Sequence, residues 1–438
     1  MSYISKLNPK VGGGLGGLPQ RTSETAVGAS GDVFQGYDYW NLASKYPIVP
    51  RVGQVLTDSN DNIVQVISEY VSGNYYTAVY RKYTPKGMLL WESMVARDPQ
   101  NLSLYVYNSA VDSEGNVYGI ANDNSSPYRN LIYKLHHKTG KIVWSYYAVF
   151  GSYNSEYGSG IYVDDNDVIY TSFSYRDSDR MLFARFDADG NILTNTGTGF
   201  GNYINAGNGI HVDESGNIYA SLYNATRIIK ISSDFSTTLY SKSISGASSL
   251  SCTYQNNGDK NGNLHFTGFY NAGYSRGIIF RIDSDGNVVW QKYVSSSSST
   301  NYFSGAHIDD DGNVYTICYV NSKIILVKIS ATGSVLMNKT IHNGGYAYTS
   351  NDSNNYVTVD SEGNIIANIH SSTYDSKLIK ISPSASEYED STEVISDISI
   401  ITTSDSSFGE THNWTSSTYN TNTSITNRVV GELTEVIV

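Results

Sequence analysis

Hydrophobic and polar positions along this chain fall into one pattern seven times: a short apolar strand ending near an Asp, a tight polar turn, and a second apolar strand. The copies run from Gln54-Val-Leu-Thr-Asp58 to Asn62-Ile-Val-Gln-Val66, from Ser109-Ala-Val-Asp112 to Asn116-Val-Tyr-Gly-Ile120, and from Ile161-Tyr-Val-Asp164 to Asp167-Val-Ile-Tyr170. They continue from Ile210-His-Val-Asp213 to Asn217-Ile-Tyr-Ala-Ser221 and from Ser251-Cys-Thr-Tyr254 to Asn263-Leu-His-Phe266, where Gln255 stands near the place of the Asp. The last two run from Ala306-His-Ile-Asp309 to Asn313-Val-Tyr-Thr-Ile317 and from Val357-Thr-Val-Asp360 to Asn364-Ile-Ile-Ala367. The second strands open at residues 62, 116, 167, 217, 263, 313 and 364, so the period stays between 46 and 54 residues.

Each copy is followed by a third strand that sets a basic residue among apolar ones: Arg81, Lys134, Arg185, Lys230, Arg281, Lys328 and Lys380. A turn and a fourth strand close most units, as in Thr139-Gly-Lys-Ile-Val-Trp144 and Asp285-Gly-Asn-Val-Val-Trp290. Asp-Gly and Gly-Asn between alternating apolar residues are hairpin signals, because Gly and Asn tolerate the positive φ of tight turns. Four strands per copy at a period near 50 predict an all-β fold, a seven-bladed β-propeller of four-stranded antiparallel blades. One closed ring is one domain, whatever the 438 residues would otherwise suggest.

The repeats place the propeller at residues 51–390. Residues 1–50, with Val11-Gly-Gly-Gly-Leu-Gly-Gly-Leu-Pro19, read as an extended Gly-rich arm. Residues 391–438 read as a C-terminal β-prone segment for blade closure, docking, or both. The seventh blade needs a fourth strand, and two candidates offer one: Val394 to Ile401, or the segment before Gln54.

Composition narrows the function. The net charge of −12 has no basic block, so neither nucleic acid nor a membrane surface is expected as partner. Charged residues make up only 16% against 38 Tyr and 39 Gly, a hydrogen-bonding surface of the kind seen in adaptable binding faces. Cys252 and Cys318 lie in different repeats and read as buried thiols. Residues 1–10 contain no apolar run of signal-peptide length and no later stretch approaches a transmembrane span, so synthesis in a host cytoplasm is expected.

Candidate chemistry is sparse. An Asp repeated at equivalent turns folds the turn rather than catalysing, since a catalytic carboxylate is wanted once or twice. Asp187-Ala-Asp-Gly-Asn191, Asp283-Ser-Asp-Gly-Asn287 and Asp309-Asp-Asp-Gly-Asn313 open like calcium loops, but apolar strands occupy the downstream ligand positions. The basic residues could form a cationic ring, or reach a turn carboxylate with their stems packed between blades. His211 and His307 occupy matching positions and could face the axial channel, with no third ligand in view. His136 and His137 fall near a turn, and the Gly run 12–17 lacks the Lys-Ser/Thr of a phosphate loop. No catalytic, cofactor or metal residue is assigned, and no cofactor is expected.

Thr139-Gly-Lys-Ile-Val-Trp144, Asp285-Gly-Asn-Val-Val-Trp290 and Lys86-Gly-Met-Leu-Leu-Trp91 resemble the repeat of pyrroloquinoline-quinone-like propellers, whose Gly-to-Trp turns lock neighbouring blades. Thr194 and Met337 stand in the Trp position of blades three and six. Quinoprotein dehydrogenases of that family hold their cofactor beside an adjacent cysteine pair; here the cysteines are far apart, so the resemblance implies scaffold only. The whole chain resembles propeller proteins of tailed-bacteriophage particles in its Gly-rich arm, its Ser/Asn/Tyr-rich repeat and its β-prone tail. That resemblance implies a non-enzymatic structural or adhesive virion protein in multiple copies of a symmetric assembly, docked to other virion proteins through its termini. A host-surface glycan or protein is a further possible partner. The alternative is a bacterial surface or secreted glycan- or protein-binding propeller; an enzyme of quinoprotein or lyase kind is a third reading.

Overall fold

A computed structural model of the chain describes residues 41–45, 53–71, 75–97, 104–123, 129–148, 156–175, 180–199, 206–222, 227–245, 250–271, 275–295, 301–343, 357–372, 375–386, 388–391, 394–397, 401–404 and 433–437. These form seven antiparallel sheets, one per blade, with no helix among the described residues. Blade 1 runs inside to outside as Gly53–Thr57, Ile63–Val71, Tyr75–Tyr83 and Leu89–Arg97. Blade 5 repeats the meander as Leu250–Gly258, Leu264–Asn271, Ser275–Ile282 and Val288–Ser295.

Strand alternation sends side chains to opposite faces of each blade, so both faces of a blade must be covered by its neighbours. The core is accordingly divided into seven apolar clusters, one for each blade-to-blade interface. Blades 1 and 2, for example, share Val64, Val66, Tyr80 and Trp91 with Val117, Leu131, Tyr133 and Leu135. The last cluster joins Ile366 and Leu378 of blade 7 to Val55, Ile63 and Tyr83 of blade 1, and so closes the ring.

Ring closure comes from the N-terminal side. Asn41–Lys45 pairs antiparallel with Asp375–Ile381 as the outer strand of blade 7, so the segment read as an arm supplies a propeller strand at its end. Val394 to Ile401 does not close the blade. Beyond Ile381 the chain turns through Ser382–Ala385 and travels back around the ring, away from the seam. It adds Glu389–Asp390 as a fifth strand on blade 6, Val394–Asp397 on blade 5 and Ile401–Ser404 on blade 4; Leu433–Ile437 then pairs with blade 1. Residues 1–40, including the Gly-rich run, lie outside the described residues.

Register also corrects two sequence assignments. The inner strand of blade 5 carries an irregularity between Thr253 and Asn257 and extends to Gly258, which makes Asp259, not a residue near Gln255, its turn carboxylate. In blade 1 the residue paired like Lys134 or Arg281 of other blades is Lys82, opposite Val64 and Trp91; Arg81 instead pairs with Glu92.

Candidate functional site

The most regular chemistry lies on the face formed by the inner hairpins. All seven turn Asp residues, Asp58, Asp112, Asp164, Asp213, Asp259, Asp309 and Asp360, close their turn by accepting hydrogen bonds from backbone N–H groups. Asp58 accepts from Asn60 N and Asn62 N at 2.9 Å each, and its other oxygen from Asn62 Nδ2 at 3.0 Å. A short side chain in this Asx geometry replaces a backbone turn.

The residue two places before the second strand begins has a left-handed φ in all seven turns. Five use Gly, whereas Asp61 (φ 58°) and Asp167 (φ 59°) accept a conformation unfavourable for a side chain. Both carboxylates reach the preceding blade: Asp167 accepts from Ser113 N and Oγ at 2.8 Å each, and Asp61 from Ser361 N at 2.8 Å and from Ser361 Oγ. The Asp61 staple spans the seam between blades 7 and 1.

Six of the turn carboxylates also carry an ion pair to the third strand: Lys82–Asp58 at 2.6 Å, Lys380–Asp360 at 2.8 Å, Arg281–Asp259 at 3.0 Å, Lys134–Asp112 at 3.3 Å, and Lys230–Asp213 and Lys328–Asp309 at 3.6 Å. Several third-strand cations, Arg185 of blade 3 among them, also donate across to the next blade. Lys134 reaches Ala188 O, Arg185 Ser233 O, Lys230 Ser284 O, Arg281 Ala331 O and Lys380 Pro85 O, each an outer-turn carbonyl, at 3.2–3.4 Å. Burial alone would raise the Asp58 carboxyl, but hydrogen bonds from Lys82 and Asn62 and the Lys82 charge bring it below the ordinary carboxylate range. At Asp213 burial is likewise overcome, by Asn217, Tyr219 and Lys230.

Outer strands lock the ring in the same direction. Trp91 Nε1 donates to His137 O at 2.9 Å, Trp144 to Ala188 O and Trp290 to Ala331 O at 3.1 Å each. The receiving turns approach the ring closely: a Cβ on Gly140 would lie 2.7 Å from Trp91, and one on Gly333 2.9 Å from Trp290. Thr194, Tyr240 and Met337 hold the equivalent register positions, opposite Arg185, Lys230 and Lys328.

The candidate histidines are wedged between blades. Buried His211 packs against Gly258 and makes a 3.0 Å hydrogen bond from Nε2 to Asp259 O of blade 5. His307 lies 3.4 Å from Thr358 Oγ1 of blade 7. Burial pushes both imidazoles down to about 4, so both are neutral at pH 7. Cys318 is buried in the interface of blades 5 and 6, and the side chain of Cys252 lies outside the described residues. The calcium-like stretches spend their first carboxylate on their own turns, as where Asp187 accepts from Asp189 N and Asn191 N and Asp283 from Asp285 N and Asn287 N. Among the described residues no group of three or more His, Cys, Asp or Glu could hold a metal.

A second regularity lies on the outer rim. The outer strands of blades 1 to 6 each carry a register shift directly before the position facing the basic residue. The extra residue is Leu90, Val143, Leu193, Leu239, Val289 and Leu336 in turn, each 49–56% exposed. A bulge re-aims a side chain, and here it turns the extra apolar residue of each of these six blades to solvent. The Leu/Val before each Trp is visible in the sequence, but alternation alone does not reveal the bulge.

No known family profile matches the chain, and no curated protein matches its sequence. Among solved structures it resembles a catalytically inactive variant of virginiamycin B lyase from Staphylococcus aureus with quinupristin (12% identity, 78% of this chain and 100% of that one, TM-score 0.53). It also resembles the β-propeller domain of Cps50 (Swd1) from Myceliophteria thermophila (9% identity, 78% and 100%, TM-score 0.50). At such identities the likeness establishes the propeller fold and nothing finer.

Proposed function

We propose that this protein is a non-enzymatic structural or adhesive component of a tailed-phage virion that displays its propeller as a binding module. The observation that carries the reading is the rim: the bulges of blades 1 to 6 each expose an apolar side chain, and Met88, Leu89 and Val335 widen the exposed apolar surface beside Leu90 and Leu336, an arrangement suited to a protein partner. The ionisable groups on the turn face support it, because the described Asp, Lys and Arg residues there are largely engaged in folding turns and tying blades. The Gly-to-Trp locks support kinship with pyrroloquinoline-quinone-like repeats at the level of scaffold. Since 389–390, 394–397, 401–404 and 433–437 are spent on the propeller's own edges, attachment falls chiefly to residues 1–40 and the rim.

A glycan-binding surface or secreted propeller is the second reading, favoured by the 38 tyrosines. Every tyrosine whose side chain is described is buried or partly buried, so stacking on sugars would fall to tyrosines elsewhere in the chain. A lyase-like activity would need reactive groups other than His211 and His307 as they are held here.

Quantitative mass spectrometry of purified virus particles tests the proposal, beside the host's secreted fraction. Fixed stoichiometry in particles, lost on deleting residues 1–40 or on Val143→Lys with Val289→Lys, is the expected result. Absence from particles with recovery in the secreted fraction overturns it.

A further inference from the structure

The tail pairs with four blades, and every pairing begins at the same rung. Counting from the outer-strand position that faces the basic residue, the first paired residue is two places on: Ser93 after Trp91, Lys242 after Tyr240, Lys292 after Trp290 and Lys339 after Met337. All four pairings are antiparallel, and the tail visits blades 6, 5 and 4 in descending order before it reappears on blade 1. Three residues connect Asp390 to Val394 and three connect Asp397 to Ile401. Only blades 2 and 3 lie between the last two stops.

Those two blades have outer strands Ile142–Ala148 and Ile192–Gly199 that pair with no fifth strand among the described residues. Neither strand contains Lys, Arg, Asp, Glu or Pro, the residues that ordinarily guard an open edge. The covered outer strands of blades 4, 5 and 6 each contain a Lys, and in blade 6 Lys339 pairs with Asp390 of the tail at 2.7 Å. An unguarded edge invites pairing with another chain.

We propose that residues 405–432 of this same chain occupy the edges of blades 3 and 2 in that order, completing a belt around the propeller. The rung rule places the contacts at Thr196–Gly199 and Tyr146–Ala148. Length permits it: at the observed pace, three connectors of three residues and two strands of four use 17 of the 28 residues available. The segment contains no Pro, so none of its amides is lost to an edge ladder, and only Asp405, Glu410, Arg428 and Glu432 are charged. The belt ends at Leu433–Ile437 on blade 1, beside the seam closed by Asn41–Lys45, so both terminal segments tie the same sector of the ring.

Hydrogen exchange with mass spectrometry on the full chain tests this. Alternate amides of an edge strand point outward, and only a further strand protects them. In the full chain the outward amides of 146–148 and 196–199 should exchange as slowly as those of 292–295, which Val394–Asp397 covers. In a chain ending at Ser404 they should exchange about 100-fold faster, while 292–295 stays protected and reports an intact propeller. Open-edge exchange in the full chain overturns the proposal, as does protection that survives the truncation. Protection that rises with protein concentration would assign the edges to a second copy and overturn it equally.

Discussion

Replacing Lys82 with Met asks how much one of the inter-blade ion pairs holds. The ammonium is 2.6 Å from Asp58 with both side chains almost wholly buried, and it also donates to Gly115 O of blade 2 at 2.9 Å. Lys82→Met strands a buried carboxylate, and removing one partner of such a pair costs about 3–5 kcal/mol. Lys339→Met is the reference, because its partner Asp390 is 86% exposed and an exposed pair contributes at most about 1 kcal/mol. Asp58→Asn added to Lys82→Met removes the stranded charge while keeping an acceptor for the turn amides, so the double variant should recover most of the loss. Urea unfolding at pH 7, followed by tryptophan fluorescence, measures all four chains. A Lys82→Met loss under 1 kcal/mol, or no recovery in the double variant, would refute the view that these pairs fasten the blades.

Acid should weaken the fold in two stages. His211 falls from 6.5 unfolded to about 4 folded through burial, so its contribution is complete above pH 6.5 and is lost as pH drops toward 4. The loss is roughly 3 kcal/mol by linkage, His307 adds a like contribution over the same range, and His211→Gln should remove about half of that part of a stability-versus-pH profile. The depressed carboxyls of Asp58 and Asp213 contribute above their unfolded values and lose that contribution only as pH falls further, below about 4. Among the turn glycines, Gly262→Ala should cost more than Gly363→Ala in thermal unfolding. Both have left-handed φ, worth about 1–2 kcal/mol, but the Gly262 Cβ would meet the Tyr219 hydroxyl at 2.3 Å, whereas at Gly363 the nearest atom is 3.7 Å away. Equal costs would remove close packing from the explanation.

The seven-fold fold was legible because each repeat carries its own turn chemistry: Asp, then Gly or Asp, then usually Asn, bounded by apolar strands. Legibility failed where register departs from strict alternation. The irregularity near Thr253 concealed Asp259 behind a longer strand, and adjacent Arg81 and Lys82 could be told apart only by which of them faces Trp91. The histidines matched in sequence, but whether such a side chain meets the channel or the neighbouring blade depends on packing across the interface, and Gly258 makes the room that seats His211 there. The belt left little trace because Glu389–Asp390, Val394–Asp397 and Ile401–Ser404 are short and follow no repeat; their positions are set by the edges they cover.

The most direct test of how this ring is held is to compare chains lacking residues 1–40 and 1–45 in thermal unfolding. Removing 1–40 should leave the midpoint unchanged, because every described strand of the propeller remains. Removing 1–45 takes the outer strand of blade 7 and its five-residue ladder, a loss of about 3–5 kcal/mol that lowers the midpoint by roughly 5 °C or more. Equal midpoints for the two truncated chains would contradict closure by Asn41–Lys45.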